Sequence, residues 1–126
     1  MTMAKVSLLS TTMQSNCVVS VRATELSERK LQLDFKTSPE LENDDGEHFE
    51  EGTIRYLCGE GLAHARRRLG LAGGLSLDIY ELKGTIRKGA EVGISYAVAM
   101  AIAKSLNKSG GQPLLGDTEH WEVVTN

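Results

Sequence analysis

The chain has 126 residues, of which 40% are apolar and 25% charged, and its net charge is −3. That length suits one domain, residues 1–126, built on a single hydrophobic core, and the balance is that of a globular protein, not a disordered or membrane-spanning one. The negative sign disfavours a general nucleic-acid binder, since affinity for phosphate backbones is carried by Lys and Arg.

Ala4 to Thr12 reads as a first strand with Val6 and Leu8 on one face, blurred by Leu9. Ser7, Ser10, Thr11, Thr12 and Gln14 also break any apolar run that a signal peptide would need, so no targeting or membrane segment is expected. From Asn16 to Thr24, Cys17, Val19 and Val21 alternate with Val18, Ser20 and Arg22, and after a turn at Glu25 to Arg29 the alternation resumes with Leu31, Leu33 and Phe35. These two runs are expected to pair as an antiparallel hairpin with one wet face. Cys17 and Cys58 both lie among apolar neighbours, which favours reduced, buried thiols over a disulfide scaffold and a cytoplasmic location.

Residues 38 to 53 hold seven carboxylates between Glu40 and Glu51 and read as an exposed acidic loop. Asn43-Asp44-Asp45-Gly46 is similar to the middle of a calcium loop, but Leu41 and Gly52 then fall where the first and last ligands belong, so calcium is rejected. From Thr53 to Leu69, Ile54, Leu57, Cys58, Gly61, Leu62, Ala65 and Leu69 form a helical stripe. Glu51 with Arg55, and Glu60 with His64, are spaced to pair. Gly59 and Gly61 weaken the helix and imply close packing against something. Arg66, Arg67 and Arg68 fall in the last turn, where cations meet the negative end of the helix dipole; contact with an anion or a partner is their alternative role.

Gly70, Gly73 and Gly74 lead into a strand in which Leu75, Leu77, Ile79 and Glu81 alternate with Ser76, Asp78 and Tyr80. Gly84 to Lys88 continues to a turn, Gly89-Ala90-Glu91-Val92-Gly93, and then to a helix around Ile94, Ala97, Val98, Ala101 and Ile102 that is apolar nearly all round and therefore buried. It is too short to span a bilayer. Lys108, Gly110 and Gly111 supply its stop, a loop holds Pro113, and Trp121, Val123 and Val124 suggest a last short strand.

His48, His64 and His120 are dispersed, and Cys58 and His64 are six apart on different sides of a helix, so no metal site is expected. Ser95 has no His or Asp in a readable relation to it, and no catalytic residue is named. What remains is the glycine turn at a helix start, which can offer backbone N–H groups to an anion. Arg87, Lys88, Gly89, Glu91, Gly93 and Ser95 are the candidate ligand-binding residues, with Glu91 placing a negative charge where an anion should go.

The order of elements from Glu50 onward, together with Gly89-Ala90-Glu91-Val92-Gly93-Ile94-Ser95-Tyr96-Ala97, resembles the N-terminal domain of GHMP-type kinases and its G-x-G-x-G-S-S-x-A phosphate loop, over residues 50–108. The Lon protease proteolytic domain shares that fold. Glu91 stands where the loop's middle glycine would be and Ile94 where its first serine would be; the Lon nucleophile position also falls on Glu91. The resemblance therefore implies the fold without either chemistry.

The resulting expectation is an α+β two-layer sandwich, with a four- or five-stranded mainly antiparallel sheet and two helices on one face. A sheet covered on one face leaves edges to manage, often by self-association. The expected function is a non-catalytic interaction module, a homo-oligomer without cofactor or metal. The alternative is a domain binding a small anionic metabolite, or a degenerate GHMP-like enzyme; nucleic-acid contact through Arg66, Arg67 and Arg68 comes last.

Overall fold

The longest strands set the architecture. The computed structural model describes residues 2–108 and 120–124, and in it β1 (Ala4–Ser10), β2 (Ser15–Leu26), β3 (Leu31–Phe35), β4 (Glu40–Glu42), β5 (Gly74–Thr85) and β6 (Glu122–Val124) form one mixed sheet. The order is β3-β5-β2-β1-β6, with β4 also on β5. Helices α1 (Glu51–Arg68) and α2 (Val92–Ser105) cover the face bearing Val6, Leu8, Cys17, Val19, Val21, Leu75, Leu77 and Ile79. The other face carries Lys5, Arg22 and Lys83, all exposed. The α+β expectation holds; β4, inside the supposed acidic loop, is a sixth strand, anchored by fully buried Leu41.

One expected pairing is overturned. β2 and β3 run antiparallel but do not touch, because β5 lies between them, antiparallel to β2 and parallel to β3. The reason is burial: Leu75, Leu77 and Ile79 are wholly inaccessible, so β5 needs neighbours on both sides, whereas β3 is exposed or half-buried along its length and suits an edge. The turn at residues 27 to 30 therefore spans two strand spacings, roughly 10 Å, and passes over the start of β5. Gly73 and Gly74 permit this: a side chain at either would collide with the carbonyls of Leu26 or Lys30.

A second correction concerns β5 itself. The register slips between Ser20 and Val21, leaving Tyr80 as an extra residue. The bulge turns Glu81 to the open face, where it meets Lys5 and Lys83, and Leu82 takes the buried place expected for residue 81. Arg22 stacks over the Tyr80 ring at 5.9 Å beside it.

α2 is as enclosed as its composition demands, with eleven of its fourteen residues buried. It ends earlier than its glycines suggest: Asn107 takes φ 54°, and Lys108 N–H donates to the Ala103 carbonyl. The Gly110-Gly111 stop and the Pro113 loop lie outside the described residues. Where β1 runs out, Ser105 stands in for it: its hydroxyl accepts the Ala23 N–H at 2.9 Å and donates to the Thr2 carbonyl at 2.6 Å.

Candidate functional site

The turn from β5 into α2 is where a ligand is expected, and the backbone N–H groups of residues 86 to 90, 93 and 94 are engaged by the chain itself. Ile86 N–H donates to the Glu42 carbonyl at 2.9 Å, Arg87 N–H to the Ser15 hydroxyl at 2.9 Å, and Lys88 N–H to Asp44 Oδ1 at 3.4 Å. Gly89 N–H is held by both carboxylate oxygens of Glu91, at 2.9 and 3.1 Å. Ala90, Gly93 and Ile94 donate to carbonyls within the turn. A carboxylate on a Gly-loop amide occupies the position of an anion; Glu91 is the loop's own anion.

The other candidate residues are similarly engaged. Lys88 Nζ lies 3.5 Å from Asp45, so the acidic segment meets the cation instead of framing a cleft beside it. Ser95 donates to the Leu57 carbonyl at 2.6 Å, joining α2 to α1 at the point where Gly61 lets the helices approach. Over Gly93 lies the indole of Trp121, so close that any side chain there would strike it. That contact joins residues far apart in sequence, and no local pattern announces it. Arg87 has an exposed side chain and its backbone N–H on Ser15.

The arginine triplet divides in the same way. Arg66 reaches back to the carbonyls of Gly73, at 2.5 Å, and Ala72, at 3.4 Å, and thereby closes the loop after α1. Arg67 and Arg68 remain exposed. His64 does not pair with Glu60; its Nε2 is shielded from solvent without a hydrogen-bond partner among the described residues, and desolvation first, then Arg67 and Arg68, lower its pKa below the ordinary value. The Glu51–Arg55 pair forms as expected, at 3.6 Å.

The described residues include no group of three or more His, Cys, Asp or Glu able to hold a metal ion. Asn43 instead caps its own turn, its side-chain oxygen accepting the N–H groups of Asp45 and Glu47. Cys17 and Cys58 are buried, and desolvation pushes each thiol up to about 12, far from a nucleophile's range. A shallow depression of about 490 Å³ on the open face is lined by Asn16, Glu40, Glu42, His48 and Lys83, but Lys83 is committed to Glu81 at 3.3 Å. No helix among the described residues is long and apolar enough to cross a membrane.

One feature that the alternation of β3 does not convey is its free side. Lys30 C=O and Lys36 N–H bond to β5, at 3.0 and 2.8 Å, so the even-numbered residues between them face β5 as well. The N–H and C=O groups of Leu31, Leu33 and Phe35 then point outward, since neighbouring residues of a strand alternate. By contrast the outer side of β4 is closed by residues 47 to 49, through the Glu42–His48 bridge and the bond from Phe49 N–H to Leu41.

No family model matches this sequence, and no characterised protein matches it by sequence. A crystal structure of mevalonate kinase, a GHMP kinase, is similar at 11% identity and a TM-score of 0.43, over 86% of this chain. The chain spans 42% of that protein's length, and the likeness is a weak resemblance of fold.

Proposed function

We propose that the chain is a non-catalytic interaction module that associates with itself through the edge of its sheet. The observation that carries this reading is the free side of β3, where the peptide groups of Leu31, Leu33 and Phe35 face away from β5 and Leu31 is 44% exposed. An uncovered edge of this kind is a template for another strand. The glycine turn supports the same reading from the other direction, because a ligand anion there would have to displace Glu91 from Gly89 and Lys88 from Asp45. Solution mass across concentration, beside a thermal melt with magnesium ATP or inorganic phosphate, tests the proposal. Association without a ligand-induced shift is expected; a strict monomer whose melting midpoint rises with phosphate would replace it with an anion-binding domain.

A further inference from the structure

Strand β6 is held by few contacts. Its three residues are all exposed, and in the described sheet it pairs with β1 alone, opposite Ser7, Leu8 and Leu9. Among residues 120 to 124 only Trp121 is buried, and its ring rests on Gly93 in the first turn of α2.

What lies beneath this segment is fixed without it. β1 keeps seven residue pairs with β2, from Ala4 with Val21 to Ser10 with Ser15, and its buried Val6 and Leu8 face the helices. The Ala23 N–H points to the β1 side of β2, where Ser105 accepts it, so by alternation Val21 and Val19 bond to Ala4 and Val6. Lys5, Ser7 and Leu9 therefore turn their N–H and C=O groups away from β2. The Lys5 carbonyl, beyond the end of β6, accepts from Lys104 Nζ at 3.1 Å; β6 lies opposite the groups of Ser7 and Leu9. On the other side, α2 is anchored by Ser95 on the Leu57 carbonyl and by Ser105 on the Thr2 carbonyl.

We infer that residues 121 to 124 form a clasp, which opens as a unit by lifting the indole from Gly93 and peeling β6 from β1 while the rest of the sheet and both helices stay folded. A short, exposed edge element with one buried side chain belongs to the low-stability end of a fold. Closed, the clasp covers the outward peptide groups of Ser7 and Leu9. Open, it leaves the sheet a second uncovered edge beside half-exposed Leu9, at the side opposite β3. Opening needs no second copy, so it stands whether or not the chain self-associates. Gly93 is the catch: its backbone is helical and not left-handed, so alanine suits it, yet a methyl there would strike the indole.

The chain has a single tryptophan, so its emission, excited beyond the tyrosine band, reports the clasp. For the full chain in urea, at about 1 µM to disfavour association, emission should shift to the red at a lower urea concentration than the loss of far-ultraviolet circular dichroism. Coincident transitions would place Trp121 in the cooperative core and overturn the clasp. In native-state hydrogen exchange, the amides of Ser7 and Leu9 should exchange at least about tenfold faster than those of Val6 and Leu8. Gly93→Ala should raise acrylamide quenching of the indole several-fold and speed exchange at Ser7 and Leu9 about tenfold further, with Val6, Leu8 and the circular-dichroism midpoint unchanged. Quenching and exchange that match the parent's, or a midpoint that falls together with the tryptophan signal, would overturn it.

Discussion

Gly61 and Gly59 are two residues apart on one helix and predict opposite responses to alanine. Both substitutions gain helix propensity, about 1 kcal/mol each, so the difference between them isolates packing. At Gly61 the new methyl comes within 2.6 Å of the Ser95 carbonyl and 3.1 Å of Val98, in the closest part of the α1–α2 crossing. Neither obstacle is the end of a flexible chain: one is backbone, the other a β-branched side chain packed in α2. The helices must separate by several tenths of an ångström, against the 2.6 Å bond from Ser95 to Leu57. Overpacking of this kind costs about 1–3 kcal/mol. Gly59→Ala is accordingly expected to raise the melting temperature by about 4 °C and Gly61→Ala to melt roughly 4–12 °C below it. The assay is thermal unfolding followed by far-ultraviolet circular dichroism at about 1 µM, dilute enough to disfavour self-association. Equal melting temperatures would refute the tight crossing at Gly61.

Further outcomes are expected from single groups. Ser105→Ala strands the buried Ala23 N–H and the Thr2 carbonyl, and urea unfolding should register a loss of about 1–3 kcal/mol. For Glu81, desolvation raises the pKa, but Lys83 and Lys5 together outweigh it and hold it below the ordinary glutamate value. Its contribution is present above the unfolded-state pKa and is lost as pH falls through the folded one, so Glu81→Gln should flatten the acid limb of the stability profile. Both cysteine thiols, raised to about 12 by burial, should react with a thiol reagent at pH near 8 only on unfolding, and stability should fall as pH rises through the thiol's unfolded value and upward. Prompt labelling of the native chain would contradict that placement.

What the sequence made legible follows from periodicity. The alternation of Val6 and Leu8, of Cys17, Val19 and Val21, and of Leu75, Leu77 and Ile79 predicted strands that form, and the all-round apolarity of residues 94 to 103 predicted the enclosed helix. Periodicity shows which face of a strand is buried and says nothing of which strand lies beside it. Hence the mistaken hairpin, with β5 inserted between β2 and β3. β4 carries no strand signature, because Leu41 alone is buried among carboxylates and three residues are too short a pattern to alternate. At the glycine turn, the charge of Glu91 is plain in the sequence, but its fold-back onto Gly89 and the cover given by Trp121 depend on geometry and on a contact between distant segments. Gly59 and Gly61 look alike in sequence; only the neighbours present around one and missing around the other separate packing within the chain from a surface left open.

The proposed self-association is tested most directly by the solution mass of the unaltered chain. Sedimentation equilibrium over a wide concentration range should show a reversible rise from the chain mass of 13.7 kDa toward twice that value. A mass that stays at 13.7 kDa at every concentration would contradict it.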